Sequence, residues 1–363
     1  MLIMQVPIRA SLADIEEYKP GRLVKGAIKL SSNENPLGPS PKVQTEILNS
    51  IKSGKLNLSV YPWERDEERL IEEIAEYTGM ERDNIVIGAG IDGVLDTLVK
   101  IFIAEGDEAI IPVPTFSLYE SQVKIAGGKP VYTTRESDFS ISVDDLIAAS
   151  GEKTRLIFIA SPNNPTGNCM SESEVREIAQ SVPDAMVIID EAYVEFAESS
   201  LEKQIEENAN VLVLRTLSKA FGLAGLRVGY AIVPKWLTKI YKKVSMPFTV
   251  NSIALIAAMT ALSDKEHLRR TVELVRRGRN YLRANMHLKV YPSQANFVLL
   301  DVAPAKSSEV YNALLNKGIV VRDCSSFRGA GNSLIRISIG TPEQNEKVVE
   351  AFIPSTGNRF LSL

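Results

Sequence analysis

Cysteine is nearly absent. Cys169 and Cys324 are the 2 cysteines in 363 residues, too few for a disulfide framework or a zinc-ligand pattern, and they fit a reducing compartment. Histidine is equally scarce. His267 and His287 both fall in polar, helix-like stretches and read as surface residues, so neither a histidine-rich metal site nor a Ser-His-Asp constellation is expected. Positive charge is not in excess: Lys and Arg number 41 against 45 Asp and Glu, a formal net charge of -4. The electrostatic footprint of a nucleic-acid binder is therefore missing. No apolar run reaches the roughly 20 residues needed to cross a bilayer; the longest, 253–262, has the length of a core helix. The first 22 residues lack a basic region followed by an apolar core and a small-residue cleavage site. The expectation is a cytoplasmic protein. No internal repeat and no low-complexity tract is present.

What the sequence does contain is alternation. "NIVIGAG" (84–90), "EAIIPV" (108–113), "RLIFIAS" (155–161), "AMVIID" (185–190), "VLVLRT" (211–216) and "RVGYAIV" (227–233) are nearly continuous in Val, Ile and Leu. Such strands are buried on both faces, as in a largely parallel sheet covered by helices. The helices between them carry punctuation. "SPKVQTEILNSIK" offers Ser40 as N-cap and Pro41 in the first turn, with Val43, Ile47, Leu48 and Ile51 on one face. "EERLIEEIAEYTG" groups Leu70, Ile71, Ile74 and Ala75 and stops at Gly79. The expected fold class is α/β: a three-layer α/β/α large domain with a mostly parallel sheet over 38–263. Beyond residue 263 a long charged helix leads into a smaller α+β domain over 264–363. Residues 1–37 form an N-terminal arm packing with the small domain or a partner subunit.

In open α/β sheets ligands bind beyond the carboxyl ends of the strands, and several polar stretches stand there. "GAGIDG" follows one strand and leaves backbone N–H groups at a helix start, suited to an anion; read alone, it is also a plain tight turn. "PTFSLY" places Phe116 after the next strand, as core or as a ring to stack on a planar ligand. "SPNNPTG" (161–167) is too polar for core. "IIDEAY" ends an apolar strand on Asp190, a carboxylate that must find a partner. "TLSKAFGLAGLRVGY" (216–230) sets Lys219 in a small, apolar run with Arg227 eight residues on. A buried lysine is costly unless paired, neutral or covalently used. A planar cofactor with a phosphate, a ring nitrogen, a phenolic oxygen and an aldehyde would use all of these groups. The aldehyde calls for a lysine amine, the ring nitrogen for a carboxylate, and the phosphate for helix N–H groups, hydroxyls and an arginine.

In this order, "LSSNENPLGPSP", "YP" at 61–62, "PTFSLY", "SPNNPTG", "DEAYVEF", "RTLSKAFGLAGLRVGY", "QANFVL", "VVRD" and "RISIGT" resemble the fold type I pyridoxal-phosphate aminotransferases, and most closely the histidinol-phosphate aminotransferase family. The resemblance covers nearly the whole chain. It implies pyridoxal 5'-phosphate as cofactor, joined to Lys219, which also moves the proton between substrate carbon and cofactor. It implies Asp190 at the pyridine nitrogen, Tyr193 and Asn164 at the phenolic oxygen, and Phe116 stacked on the ring. The amides of Gly90 and Ile91, with Thr216, Ser218 and Arg227, would bind the phosphate. Tyr61 would reach that phosphate from a second subunit, which implies a homodimer with shared active sites. Arg336 matches the arginine for the amino-acid carboxylate, and Arg322, Tyr18 and Asn35 match substrate contacts. One departure is Ile91, where the family usually has a small polar residue: an amide contact survives there, a hydroxyl contact does not.

The implied reaction moves an amino group between L-histidinol phosphate and 2-oxoglutarate, giving imidazole acetol phosphate and glutamate, a step of histidine biosynthesis. Histidinol phosphate has no α-carboxylate and glutamate has one, so one site must serve both. Two arginines that take either phosphate or carboxylate in bidentate fashion solve this. Arg322 and Arg336 both sit in apolar strands ("GIVVR", "LIRISI"). A threonine-phosphate decarboxylase or an aromatic-amino-acid aminotransferase on the same scaffold remains open, because the sequence does not show how the reacting bond lies against the ring. A ligand-sensing domain of a transcription regulator is a third reading, disfavoured by the acidic charge. In "DCSSFRGAGNSL", beside the arginines, Arg328 reads as a solvated loop residue.

Overall fold

A computed structural model describes residues 23–353 together with Arg9, Leu12, Ile15, Glu17 and Gly21. The strands in chain order are β1 (Ile28–Lys29), β2 (Ile85–Ala89), β3 (Glu108–Val113), β4 (Lys129–Thr134), β5 (Thr154–Ala160), β6 (Met186–Asp190), β7 (Val211–Thr216), β8 (Val228–Ile232), β9 (Lys289–Val290), β10 (Phe297–Asp301), β11 (Ile319–Val320), β12 (Arg322–Asp323) and β13 (Leu334–Ser338). Seven of them form one sheet in the order β2-β8-β7-β6-β5-β3-β4. Only β8 runs against its neighbours; the remaining pairs are parallel.

Continuous apolar strands need cover on both faces, and they have it. Alternate residues of β6 point into opposite cores: Val187 and Ile189 into one, Met186 and Ile188 into the other. The first core takes in Val43 of helix α1 (Pro41–Lys52), Leu70, Ile71 and Ile74 of α2 (Glu64–Thr78) and, further on, Val175 and Ile178. The second packs α3 (Gly90–Phe102) through Val94, Leu95 and Leu98, and α4 (Leu118–Ala126) through Val123. This is the three-layer arrangement expected. The remaining helices are α5 (Val143–Ala148), α6 (Glu172–Ser181), α7 (Gln204–Glu207), α8 (Lys235–Val244), α9 (Ser252–Ser263), α10 (Lys265–Asn285), α11 (Ser307–Asn316) and α12 (Pro342–Phe352).

Local signals set the helix starts. The Ser40 side chain accepts from the Lys42 amide ahead of Pro41, and Ser171 and Glu174 form a reciprocal capping box on α6, each arrangement satisfying otherwise orphaned donors. The second sheet is antiparallel throughout, in the order β12-β13-β10-β9. The N-terminal β1 pairs in parallel with β11, Ile28 opposite Ile319.

Two differences from the sequence expectation stand out. Strand β4 was not anticipated. It is an edge strand, contains Pro130, and is only partly buried, so it lacks the unbroken apolar signal of the central strands. Leu48 and Ile51, expected on the buried face of α1, are 55% and 50% exposed.

Candidate active site

A cavity of about 420 Å³ opens at the carboxyl ends of the parallel strands, where the two sheets face each other. Its wall includes Ile91, Phe116, Asn164, Asp190, Tyr193, Thr216, Ser218, Lys219, Arg227, Arg322 and Arg336. Eleven of the residues singled out in the sequence, drawn from across 245 positions, therefore meet in one place.

Lys219 follows β7 and lines the cavity, donating from Nζ to the Ser32 carbonyl at 3.2 Å. It is partly buried in the cleft, and desolvation there, aided by the positive charge of Arg336, lowers its pKa to about 8. A substantial neutral fraction at physiological pH is what a nucleophilic or proton-moving amine requires. Asp190, at the end of β6, is 7% exposed. Burial raises its pKa to about 6, against the opposing hydrogen bonds from the Tyr119 hydroxyl to Oδ2 at 2.5 Å and from the Ala192 amide to Oδ1 at 3.0 Å. Tyr119 is fully buried, and burial beside Asp190 pushes its own pKa well up, so the phenol keeps its proton and acts as the donor. No role was assigned to Tyr119 from the sequence, although it closes the "PTFSLY" stretch. Its place three residues after Phe116 in the same stretch was the available signal.

The anion end of the cavity is built from backbone as much as side chain. α3 begins at Gly90 directly after β2, leaving first-turn N–H groups without intrahelical partners. β8 passes so close that a Cβ on Gly229 would lie 2.3 Å from the Ile91 nitrogen; only glycine fits there. The hydroxyls of Thr216 and Ser218 are 3.0 Å apart. Arg227, with a left-handed backbone at φ 55°, places Nη2 2.6 Å from Asp92 Oδ2. Amides, two hydroxyls and a guanidinium form a donor set that fits a phosphate.

The opposite wall comes from the second sheet and the N-terminal segment. Arg336 on β13 is 5% exposed. It donates from Nη2 to the Ser31 carbonyl at 2.7 Å and from Nη1 to Asn164 Oδ1, and its guanidinium stacks 5.3 Å from the Phe297 ring centroid. Arg322 on β12 is paired in register with Arg336. Asn33 donates to the Tyr193 hydroxyl at 2.9 Å, a contact the sequence reading did not single out.

Four expected residues are not in the cavity wall. Gly90 is at the first position of α3, next to Ile91. Asn35 is not part of the cavity wall: its Nδ2 donates to the Ala220 carbonyl at 2.8 Å, so it braces the lysine loop from behind, and Asn33 is the asparagine of that stretch that reaches the cavity. Tyr61 is 73% exposed, stacked on Phe248 at 4.6 Å, and outside the cavity wall of its own chain. Tyr18 lies outside the described residues. Among the described residues no group of three or more His, Cys, Asp or Glu side chains could hold a metal ion, and no helix is long and apolar enough to cross a membrane.

Residues 25–352 match the family model described as aminotransferase class I and II, and the chain belongs to that family. It is 48% identical over 357 residues to the histidinol-phosphate aminotransferase of Methanosarcina mazei, covering 95% of both chains. Identity to the histidinol-phosphate aminotransferase of Methanococcoides burtonii is also 48%, over 95% of this chain and 98% of that one. Among solved structures, the Sinorhizobium meliloti histidinol-phosphate aminotransferase in complex with pyridoxal-5'-phosphate matches with a TM-score of 0.81 at 27% identity, over 90% of each chain. Within the class I and II aminotransferases the chain thus falls in the histidinol-phosphate aminotransferase family.

Proposed function

We propose that this chain transfers an amino group between L-histidinol phosphate and 2-oxoglutarate, yielding imidazole acetol phosphate and glutamate, with pyridoxal 5'-phosphate in the cavity. The observation that carries this reading is the facing of Lys219 and Asp190 on one wall by Arg322 and Arg336 on the other. When bound, the cofactor would supply an aldehyde that takes up the amino group, an amine form that carries it between half-reactions, and a ring to accept electron density from the substrate carbon.

The residues then divide the work. Lys219 Nζ, with its depressed pKa, takes the proton from the substrate carbon and returns it on the other side of the reaction. Asp190, ionised above about pH 6, keeps a ring nitrogen protonated. Tyr193 and Asn164 orient a phenolic oxygen, and Phe116 covers one ring face. The Gly90 and Ile91 amides with Thr216, Ser218 and Arg227 hold the phosphate end. Arg322 and Arg336 take the substrate phosphate in one half-reaction and the glutamate carboxylate in the other, because a guanidinium pairs with both in bidentate fashion.

A homodimer belongs to the same proposal. Leu48, Leu58, Tyr61, Trp63, Met246 and Phe248 are each half or more exposed, and Tyr61 stacks on Phe248; clustered apolar exposure marks interaction sites. A second copy packed there would cover these residues and bring its Tyr61 to the phosphate. The arm over 1–37, the cofactor-binding unit over 38–263 and the smaller unit over 264–363 are also part of the reading, supported by the pairing of β1 with β11. Two free cysteines fit the reducing setting of a cytoplasm.

The deciding experiment is the visible absorption of the purified, cofactor-loaded protein on adding histidinol phosphate with no oxo acid present. The band of the lysine-bound cofactor should be replaced by that of its amine form, and 2-oxoglutarate should restore it. A band that never converts rejects this substrate while leaving the cofactor site standing.

A further inference from the structure

The loop between β12 and β13 leaves the second sheet and touches the first. Arg328, in the middle of this loop, donates from Nε to Glu120 Oε2 at 3.1 Å and from Nη2 to Oε1 at 2.9 Å. The same guanidinium lies 4.4 Å from the Tyr132 ring centroid. Glu120 sits on α4, four residues after Phe116, and Lys124 holds it from the next turn at 2.7 Å. Burial raises the Glu120 pKa, but hydrogen bonds from Arg328, Lys124 and Tyr132 outweigh it and hold the carboxyl at about 2. The pair is therefore charged at every working pH. An exposed ion pair alone contributes little. This one is bidentate, stacked on an aromatic ring, and rests on a carboxylate only 20% exposed.

The residues around Arg328 face the site. Phe327 is 6% exposed and lines the cavity. The Arg322 guanidinium lies 5.4 Å from the Phe327 ring centroid and donates to Ser326 Oγ at 3.3 Å. Gly329, at φ 79°, lies against the end of β3, where a Cβ would come within 3.4 Å of Val113 Cγ2. One loop thus carries two of the partners of Arg322 and is fastened to α4 and β4, beside Phe116.

We propose that Arg328 is a positioning residue: its clamp on Glu120 and Tyr132 fixes the loop so that Arg322 and Phe327 stand over the cavity, and it thereby sets affinity for the anionic end of the substrate. This rests on the site reading above. Preorganisation of this kind lowers the ordering cost of binding and leaves the chemical step alone.

The test uses the cofactor-loaded full chain. Arg328→Ala should raise KM for histidinol phosphate about fivefold with kcat within twofold of wild type. Glu120→Gln should do the same, and the double variant should be no worse than either alone, the non-additivity expected of one shared interaction. Without substrate, amide hydrogen exchange over 324–333 should quicken about fivefold in Arg328→Ala. Arg328→Lys, which keeps the charge but loses the fork, should recover part of both effects. The exchange arm needs no substrate, so it judges the clamp even if wild type fails to turn over histidinol phosphate, a result that would instead reject the proposed reaction. Wild-type exchange and KM in Arg328→Ala would overturn the proposal. So would a loss of melting temperature and kcat with KM unchanged, the signature of a merely structural staple.

Discussion

The two walls of the cavity are made differently. On the first-sheet side, groups project from the ends of strands buried on both faces: Asp190 closes β6, Thr216 closes β7, and α3 begins where β2 stops. Their positions are over-determined by the close-packed cores above and below. On the second-sheet side, Arg336 and Arg322 stand on the inner and edge strands of a four-stranded sheet: Arg336 is buried between Ile335 and Ile337 of the core and is held by a carbonyl and an asparagine, while Arg322 is met by a loop. The rigid wall suits chemistry that is identical in both half-reactions. The second wall suits an anion that differs between them.

This contrast predicts that changes on the rigid wall reduce kcat for every substrate, while changes on the arginine wall act mainly through KM. The largest effect is expected for Lys219→Ala. Single-turnover measurements with the folded, cofactor-supplemented variant should fall by about 10⁴-fold or more, because both nucleophile and proton carrier are lost. Turnover near wild type would place the chemistry elsewhere. Asp190→Asn comes next, with kcat reduced by roughly 10²–10³-fold for both amino donors alike, since an amide holds no proton on a ring nitrogen. A loss confined to one donor would break the comparison.

Arg336→Lys should raise KM for glutamate by about tenfold or more, with a smaller change in kcat, as the bidentate fork is replaced by a point charge. Equal losses in kcat and kcat/KM would move Arg336 to the chemical wall. The smallest and most specific effect belongs to Tyr119→Phe. Asp190 has a folded-state pKa raised to about 6, so its ionised form predominates only above that pH. The Tyr119 hydrogen bond opposes the rise, because it stabilises the anion. Removing it should push the pKa higher still. A titration of pyridoxal phosphate affinity against pH should show binding weaken on acidification through about pH 6 in wild type and at a higher pH in Tyr119→Phe. An unshifted profile would show that Tyr119 does not tune the carboxylate.

The rigid wall was largely legible in the sequence. The central strands announce themselves as unbroken apolar runs, and the residue after such a run must lie at a sheet edge where ligands bind, so Asp190, Thr216 and Lys219 could be placed before any coordinate. β4 escaped because an edge strand with a proline and a half-wet face carries no such signal. Tyr119 escaped because a tyrosine on a helix is usually core, and only the fold brings it across 71 positions to Asp190. Asn33 and Asn35 could not be told apart by composition; the left-handed backbone at Asn33, φ 55°, turns that side chain to the cavity. Arg328 looked like a solvated loop residue until the two sheets were set face to face.

By itself the sequence determined the strand–helix alternation and the lysine and carboxylate at strand ends. Each of these depends on burial pattern and backbone freedom within a few dozen residues. The tertiary structure alone decided which polar groups share a hydrogen bond across 71 to 305 positions, as Tyr119 does with Asp190 and Ser31 with Arg336. Such pairings depend on how two sheets and an arm dock, and a hydrogen bond demands placement within a few tenths of an ångström that no local periodicity encodes.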